Sequence, residues 1–260
     1  MRRILPVPEP SSPPRSDLAQ GDLTQDDLDA AYAVPVLPLG TAHVRANFVA
    51  SADGAAEVDG RSGGLGGPAD RRVFRTLRWL ADVVLVGAGT ARTEDYGPAV
   101  VPPERREIRV AAGLAPVPPI AVISGSLEFD PAARLFAAEV RPLLLTRASA
   151  PAERAAALRE VAEVVVCGDE RVELGVALAE LVARGLPRVL TEGGPVLHGQ
   201  LVGAGLLDEL CLTIAPLLGG PGHLGIVAGL PWPSARTMTL RQLLEEDGEL
   251  FLRYQLARDQ

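Results

Sequence analysis

The chain of 260 residues is 47% hydrophobic, enough for one large core without division into two. A net charge of -8 argues against an extended nucleic-acid surface or an anionic-membrane footprint, while small anionic ligands stay within reach of local arginines. All 25 basic residues are arginine, which excludes a Walker-type phosphate lysine, a Schiff base and a pyridoxal-phosphate site, because each needs an amine.

In chain order, closely spaced prolines (Pro6, Pro8, Pro10, Pro13, Pro14) predict a loosely attached tail over residues 1–16, with no secretory signal and no stretch long enough to span a membrane. Thr24 predicts the cap of a short peripheral helix through Ala33, with Asp27 at its third position. Alternation of Val44, Ala46, Phe48 and Ala50 predicts a strand from His43 to Ala52, ended by a turn at Asp53-Gly54. A glycine-dense loop from Gly60 to Gly67 follows, and Pro68 opens a helix whose arginine row, Arg71, Arg75 and Arg78, reads as solvated. Asp82 to Val86 is a second strand, ending in Gly87-Ala88-Gly89-Thr90, and Tyr96 to Pro119 reads as a long surface loop.

Three apolar runs, Ile120 to Ile123, Pro142 to Leu145 and Val164 to Cys167, then alternate with helical patterns at Ala152 to Val161 and Glu173 to Ala183, which predicts a mainly parallel sheet covered on both faces. Cys167 and Cys211 lie in apolar runs and read as buried thiols in a reducing cytoplasm. Leu207 to Leu218 and Leu250 to Leu256 are expected to close the sheet as an antiparallel pair.

Arg188 to Leu197 holds the strongest local signal. A strand ends at Glu192, turns on Gly193-Gly194, and restarts as a helix at Pro195, so the N-H groups of Val196, Leu197 and His198 and the positive helix end favour a phosphate. Rival motifs fail on context. Gly60-Arg61-Ser62-Gly63-Gly64 matches a nucleophile elbow but has neither the strand before it nor the helix directly after it. Gly87-x-Gly89 would need a third glycine at Arg92, and His43, His198 and His223 are too scattered for zinc.

Val49-Ala50-Ser51-Ala52-Asp53-Gly54, Leu77-Arg78 with Ala81 to Thr90, Glu192-Gly193-Gly194-Pro195, and Gly205 to Leu210 with Ala215-Pro216 together resemble the reductase domain of riboflavin biosynthesis, from about His43 to the C-terminus. The resemblance implies an α/β fold of the dihydrofolate-reductase type: a mostly parallel central sheet flanked by helices, with a C-terminal antiparallel strand pair. Residues 1–40 would then be a tail and peripheral helix, and residues 41–260 the reductase domain. It also implies NADPH-dependent reduction of 5-amino-6-(5-phosphoribosylamino)uracil to its ribityl product by a homodimer. The zinc motifs of the usual partner deaminase, His-x-Glu and Pro-Cys-x-x-Cys, do not occur, so a free-standing reductase is expected.

Carried over by position, Thr90, Ser124 and the stretch Gly193 to Gln200, including Gly194, Pro195, Val196, Leu197 and His198, would contact the cofactor. Arg147, after the strand Pro142 to Leu145, is expected at its 2′-phosphate. Ser62, Arg78 and Glu192 would face the substrate, Arg78 toward its phosphate. Asp53, Glu192 or a water would handle the proton. The chain departs from the family pattern at Asn47 (a lysine elsewhere), Gly64 (a tryptophan), Glu94 (an aspartate) and Val101 (an arginine). A pterin or folate reductase and a non-catalytic nucleotide-binding protein are the alternative readings.

Overall fold

The computed structural model describes residues 1–6, 22–58 and 60–257. Its elements in chain order are β1 (Arg2–Pro6), α1 (Gln25–Ala31), β2 (His43–Ser51), α2 (Pro68–Leu80), β3 (Val83–Gly87), α3 (Ala88–Thr93), α4 (Pro103–Ala111), β4 (Ile120–Ile123), β5 (Leu143–Thr146), α5 (Ala152–Leu158), β6 (Glu163–Val166), α6 (Leu174–Ala183), β7 (Arg188–Thr191), α7 (Pro195–Gly203), β8 (Glu209–Ala215), β9 (Met238–Glu246) and β10 (Glu249–Leu256). The strands form one ten-stranded sheet in the order β1-β9-β10-β8-β2-β7-β3-β4-β5-β6. Strands β8 through β6 run parallel, and β10, β9 and β1 continue the sheet antiparallel. This is the α/β, dihydrofolate-reductase-like architecture.

The parallel strands are apolar on both faces because helices cover both. Val84, Val86, Val122 and Leu144 join Leu28, Val73 and Leu77 on one side, while Val83, Leu85, Leu143 and Leu145 join Leu178, Leu181, Leu197 and Leu201 on the other. Alternate residues of one strand thus feed two cores. Thr24 caps α1 as a capping box with Asp27, and buried Leu28 anchors that helix in the first core.

Three expectations change. Arg2–Pro6 is no loose tail: it pairs with β9 at the sheet edge, and Met1 is buried. The prolines Pro8, Pro10, Pro13 and Pro14 lie outside the described residues. The loop from Tyr96 to Pro119 contains α4, whose Arg109 turns inward and donates through Nη1 to the carbonyls of Trp79 and Ala81, both at 2.6 Å. It satisfies the C-terminal end of α2, a role that charge content alone does not reveal. The antiparallel section is larger than a pair because Gln242-Leu243-Leu244-Glu245-Glu246 reads poorly as a strand yet forms half of β9. Strand β8 lies inside the sheet, between β2 and β10.

Candidate active site

The carboxyl ends of β2, β7, β3 and β4 open into one cavity of about 940 Å³, the position where an open α/β sheet presents ligands. Its walls include Asn47 and Val49 from β2, Glu192 and Gly194 after β7, Gly87 to Thr90 after β3, and Ile123 to Gly125 after β4.

One wall is a cradle for an elongated anion. Gly193 has φ of 103°, a conformation open to glycine, and its carbonyl accepts from the Gly87 N-H at 2.8 Å, which locks two strand ends together. Gly194 caps α7, and a Cβ there would collide with Thr90 Oγ1, so only a bare backbone fits. Pro195, Val196, Leu197 and Gln200 continue the wall. The N-H groups of Val196 and Leu197 precede the first intrahelical bond and sit at the positive end of the helix. The expected third donor is corrected: the His198 N-H is spent on Gly194 O at 3.0 Å. The His198 ring is buried against Phe48, with centroids 4.6 Å apart, and neither it nor Gly193 lines the cavity. Burial lowers the imidazole pKa to about 4, so the ring is neutral at pH 7.

The opposite wall is one face of α2. Asp70, Phe74 and Arg78 recur every fourth residue and all line the cavity, so Arg78 is not the solvated row member its spacing suggested. Its Nε and Nη2 each donate to Glu192 at 2.7 Å, and the Tyr96 hydroxyl donates to the same carboxylate at 2.8 Å. The guanidinium also lies 4.2 Å from the Phe74 ring centroid. Burial opposes the Arg78 charge, but Glu192 outweighs it and raises the guanidinium pKa; burial followed by Glu192 pushes the Tyr96 phenol well above its ordinary value. The expectation of Arg78 as phosphate anchor is therefore revised, because Glu192 cancels its charge.

Asp53 is also revised. It is exposed and absent from the cavity wall; its carboxylate accepts from the Ser51 hydroxyl at 2.5 Å and from the N-H groups of Gly219 and Gly220 at 2.9 and 3.0 Å. The Ser51 bond first, then Gly219, lower its pKa to about 2, which suits a clamp between two loops and not a proton donor. Ser124 lines the cavity, with its hydroxyl accepting from the Leu127 N-H. Arg147 stands behind the wall, donating to the carbonyls of Gly125 and Glu170 at 3.0 and 2.8 Å. Ser62 lies at the mouth, where its N-H and hydroxyl hold Glu94 Oε1 at 3.0 and 3.1 Å. Of the departures from the family pattern, Asn47 and Glu94 line the cavity, Gly64 sits just outside, and Val101 is buried in the core.

Tyr96 and Asp70 escape a reading of the sequence. Nothing in a Pro-rich segment signals that Tyr96 reaches Glu192, 96 residues away. Asp70 is legible as a first-turn acid of α2, a position that does not signal its place on the cavity wall. Among the described residues, no group of three or more His, Cys, Asp or Glu side chains is placed to hold a metal, and no helix is long and apolar enough to cross a membrane.

The family model of the RibD C-terminal domain matches residues 42–246. The chain is 32% identical over 186 residues to the 2,5-diamino-6-ribosylamino-4(3H)-pyrimidinone 5′-phosphate reductase of Methanothermobacter thermautotrophicus, covering 72% of this chain and 80% of that protein. Against the protein of the same name from Archaeoglobus fulgidus it is 34% identical over 151 residues, covering 58% and 69% respectively. The crystal structure of a pyrimidine reductase-like protein from Corynebacterium diphtheriae superposes with a TM-score of 0.79 at 31% identity, covering 91% of this chain and all of that one. A sheet whose strand ends carry a glycine cradle beside a buried Arg-Glu-Tyr cluster, and relatives that match most of its length, lead to one assignment: the chain belongs to the RibD C-terminal domain family of riboflavin-biosynthesis reductases.

Proposed function

We propose that this chain reduces a ribosylaminopyrimidine 5′-phosphate with NADPH, converting the ribosyl side chain to a ribityl one. The observation that carries this reading is the continuity of one cavity of about 940 Å³, lined both by the Gly194-Thr90 cradle and by the Arg78-Glu192-Tyr96 cluster. Thr90, Gly194, Val196 and Leu197 would hold the diphosphate, and Ser124 would lie beside the cofactor. When bound, the reduced nicotinamide supplies a hydride. The chain's own contribution is orientation and exclusion of water: the Arg78-Glu192 pair gives a rigid polar floor against which a pyrimidine edge can register. Ser62, whose N-H and hydroxyl already hold a carboxylate, and exposed Arg71 at the mouth suit the phosphate.

The names of the archaeal relatives favour the 2,5-diamino pyrimidine over the 5-amino uracil form that the family resemblance suggested. NADPH over NADH is part of the same proposal, with Arg147 beside Gly125 as the partner of the 2′-phosphate. A homodimer is carried from the family resemblance, and a reducing cytoplasm fits two buried, unbridged thiols. The test monitors reduced-nicotinamide absorbance with the diamino pyrimidine phosphate, the amino uracil phosphate and dihydrofolate, each with NADPH and NADH. Turnover greatest with the diamino substrate and NADPH is expected. Turnover of dihydrofolate alone would overturn the assignment, and tight NADPH binding without any turnover would favour a nucleotide sensor.

A further inference from the structure

Among the acids that face the cavity, Asp70 has distinctive surroundings. It stands at the third position of α2, where an acid commonly serves the free N-H groups of the first turn. A different residue serves them in this fold: Glu249 on β10 accepts from the N-H groups of Gly67 and Asp70 at 2.7 and 3.3 Å. The Asp70 side chain is left on the cavity face it shares with Phe74 and Arg78. Its carboxyl folds against Gly66, where any Cβ would collide with it.

The cavity's other acids are largely committed. Glu192 is held by Arg78 and Tyr96, Glu94 by Ser62, and Asp95 by Arg134 at 2.9 Å. Among the described residues, Glu57, on the loop after β2, is the one further acid on the wall. Asn47 is an amide, which can donate a hydrogen bond but does not ionise as a general acid. Four influences act on Asp70: burial raises its pKa, a hydrogen bond with Thr213 on β8 lowers it, the nearby Glu249 raises it and Arg71 lowers it, with a net upward shift. A carboxyl that retains its proton nearer neutral pH is suited to general-acid work.

We infer that Asp70 is the proton donor of the reduction, its carboxyl facing the substrate nitrogen from the α2 wall of the cavity. The inference rests on the reductase reading above. As the hydride from the reduced nicotinamide forms a new C-H bond at C1′ of the open-chain imine, the π pair of the C=N bond moves onto nitrogen. That nitrogen takes the proton from the Asp70 O-H, Asp70 becomes a carboxylate, and solvent at the mouth returns the proton. Charge and atoms balance with no further reactant.

The test compares wild type, Asp70→Asn, Gly66→Ala and Glu57→Gln with NADPH and the diamino pyrimidine phosphate across pH. Wild-type kcat is expected to fall as pH rises through the Asp70 titration. Asp70→Asn should lower kcat by about 100-fold and abolish that basic limb. Gly66→Ala, whose methyl would push the carboxyl aside without removing it, should lower kcat while keeping a basic limb, and Glu57→Gln should keep the wild-type basic limb whatever its kcat. Carbon-13 NMR of aspartate-labelled apoprotein, with Asp70→Asn to assign the resonance, should show a midpoint above the ordinary carboxylate range. An Asp70→Asn kcat within threefold of wild type, a basic limb that persists in it, or an ordinary Asp70 midpoint overturns the inference. A wild type that turns over no pyrimidine overturns the reductase reading itself, a result distinct from an active enzyme indifferent to Asp70.

Discussion

Arg78 and Glu192 lie 114 residues apart in sequence and meet through two parallel hydrogen bonds of 2.7 Å, with both side chains largely withdrawn from solvent. A bidentate pair of this kind fixes both planes at once. It joins the outer layer, α2, to the end of β7, and so sets the width of the cavity between them. Removing one partner leaves the other charge buried, which costs about 3–5 kcal/mol. Arg78→Ala is therefore expected to destabilise the fold by about 3 kcal/mol as well as weaken substrate binding. Denaturant unfolding of Arg78→Ala, Glu192→Ala and the double variant checks this. The double variant should lose much less than the sum of the singles, and strict additivity would show that the pair contributes nothing as a pair.

Gly194 and Thr90 make a second test, because the space they share is the cradle itself. A methyl at Gly194 meets Thr90 Oγ1 first and the Thr90 Cβ only at 3.7 Å. Gly194→Ala should lower Tm through overpacking, worth about 1–3 kcal/mol, and weaken NADPH binding. Adding Thr90→Ala should restore Tm, since the colliding atom is gone. Affinity should stay low, because the extra methyl still narrows the approach to the backbone. Calorimetric recovery of both quantities together would remove the cradle from the cofactor site.

Much of this arrangement is legible in the chain. Glu192-Gly193-Gly194-Pro195 announces strand, turn and helix within a few residues, since a turn on glycines and a helix opened by proline are local events. The parallel strands follow from unbroken apolar runs. The edges are harder to read. Arg2–Pro6 is a strand because β9 offers it a partner, Glu245 opposite Arg2, 243 residues away, a fact no local pattern contains. In the site, spacing places Arg78 on a helix face but does not reveal the neutralising partner, which Glu192 supplies from another element. Asp53 stands in a motif beside a turn and looks chemical, yet its carboxylate is consumed by the N-H groups of Gly219 and Gly220, on a loop brought in by the tertiary fold.

His198 supplies a prediction about pH. Its ring is buried against Phe48, its Nδ1 has no hydrogen-bond partner among the described residues, and burial lowers its pKa to about 4 from an ordinary 6.5. The unfolded chain therefore takes up a proton near pH 6.5 while the folded chain refuses it until about pH 4. The stability associated with the neutral ring is fully present above the unfolded value and is lost as pH falls through that window. At one proton, the slope approaches about 1.4 kcal/mol per pH unit inside it. His198→Phe keeps an aromatic ring on Phe48 and removes the titration, so it should flatten the decline in unfolding free energy between pH 6.5 and 4, whatever it does at pH 7. Denaturant titrations at four pH values measure the two slopes. Proton NMR of the wild-type ring supplies the direct check: no titration should appear above pH 5, about one unit over the folded value. Equal slopes, or a ring that titrates near 6.5, would mean that water reaches His198 and that the packing of α7 on β2 is looser than the structure has it.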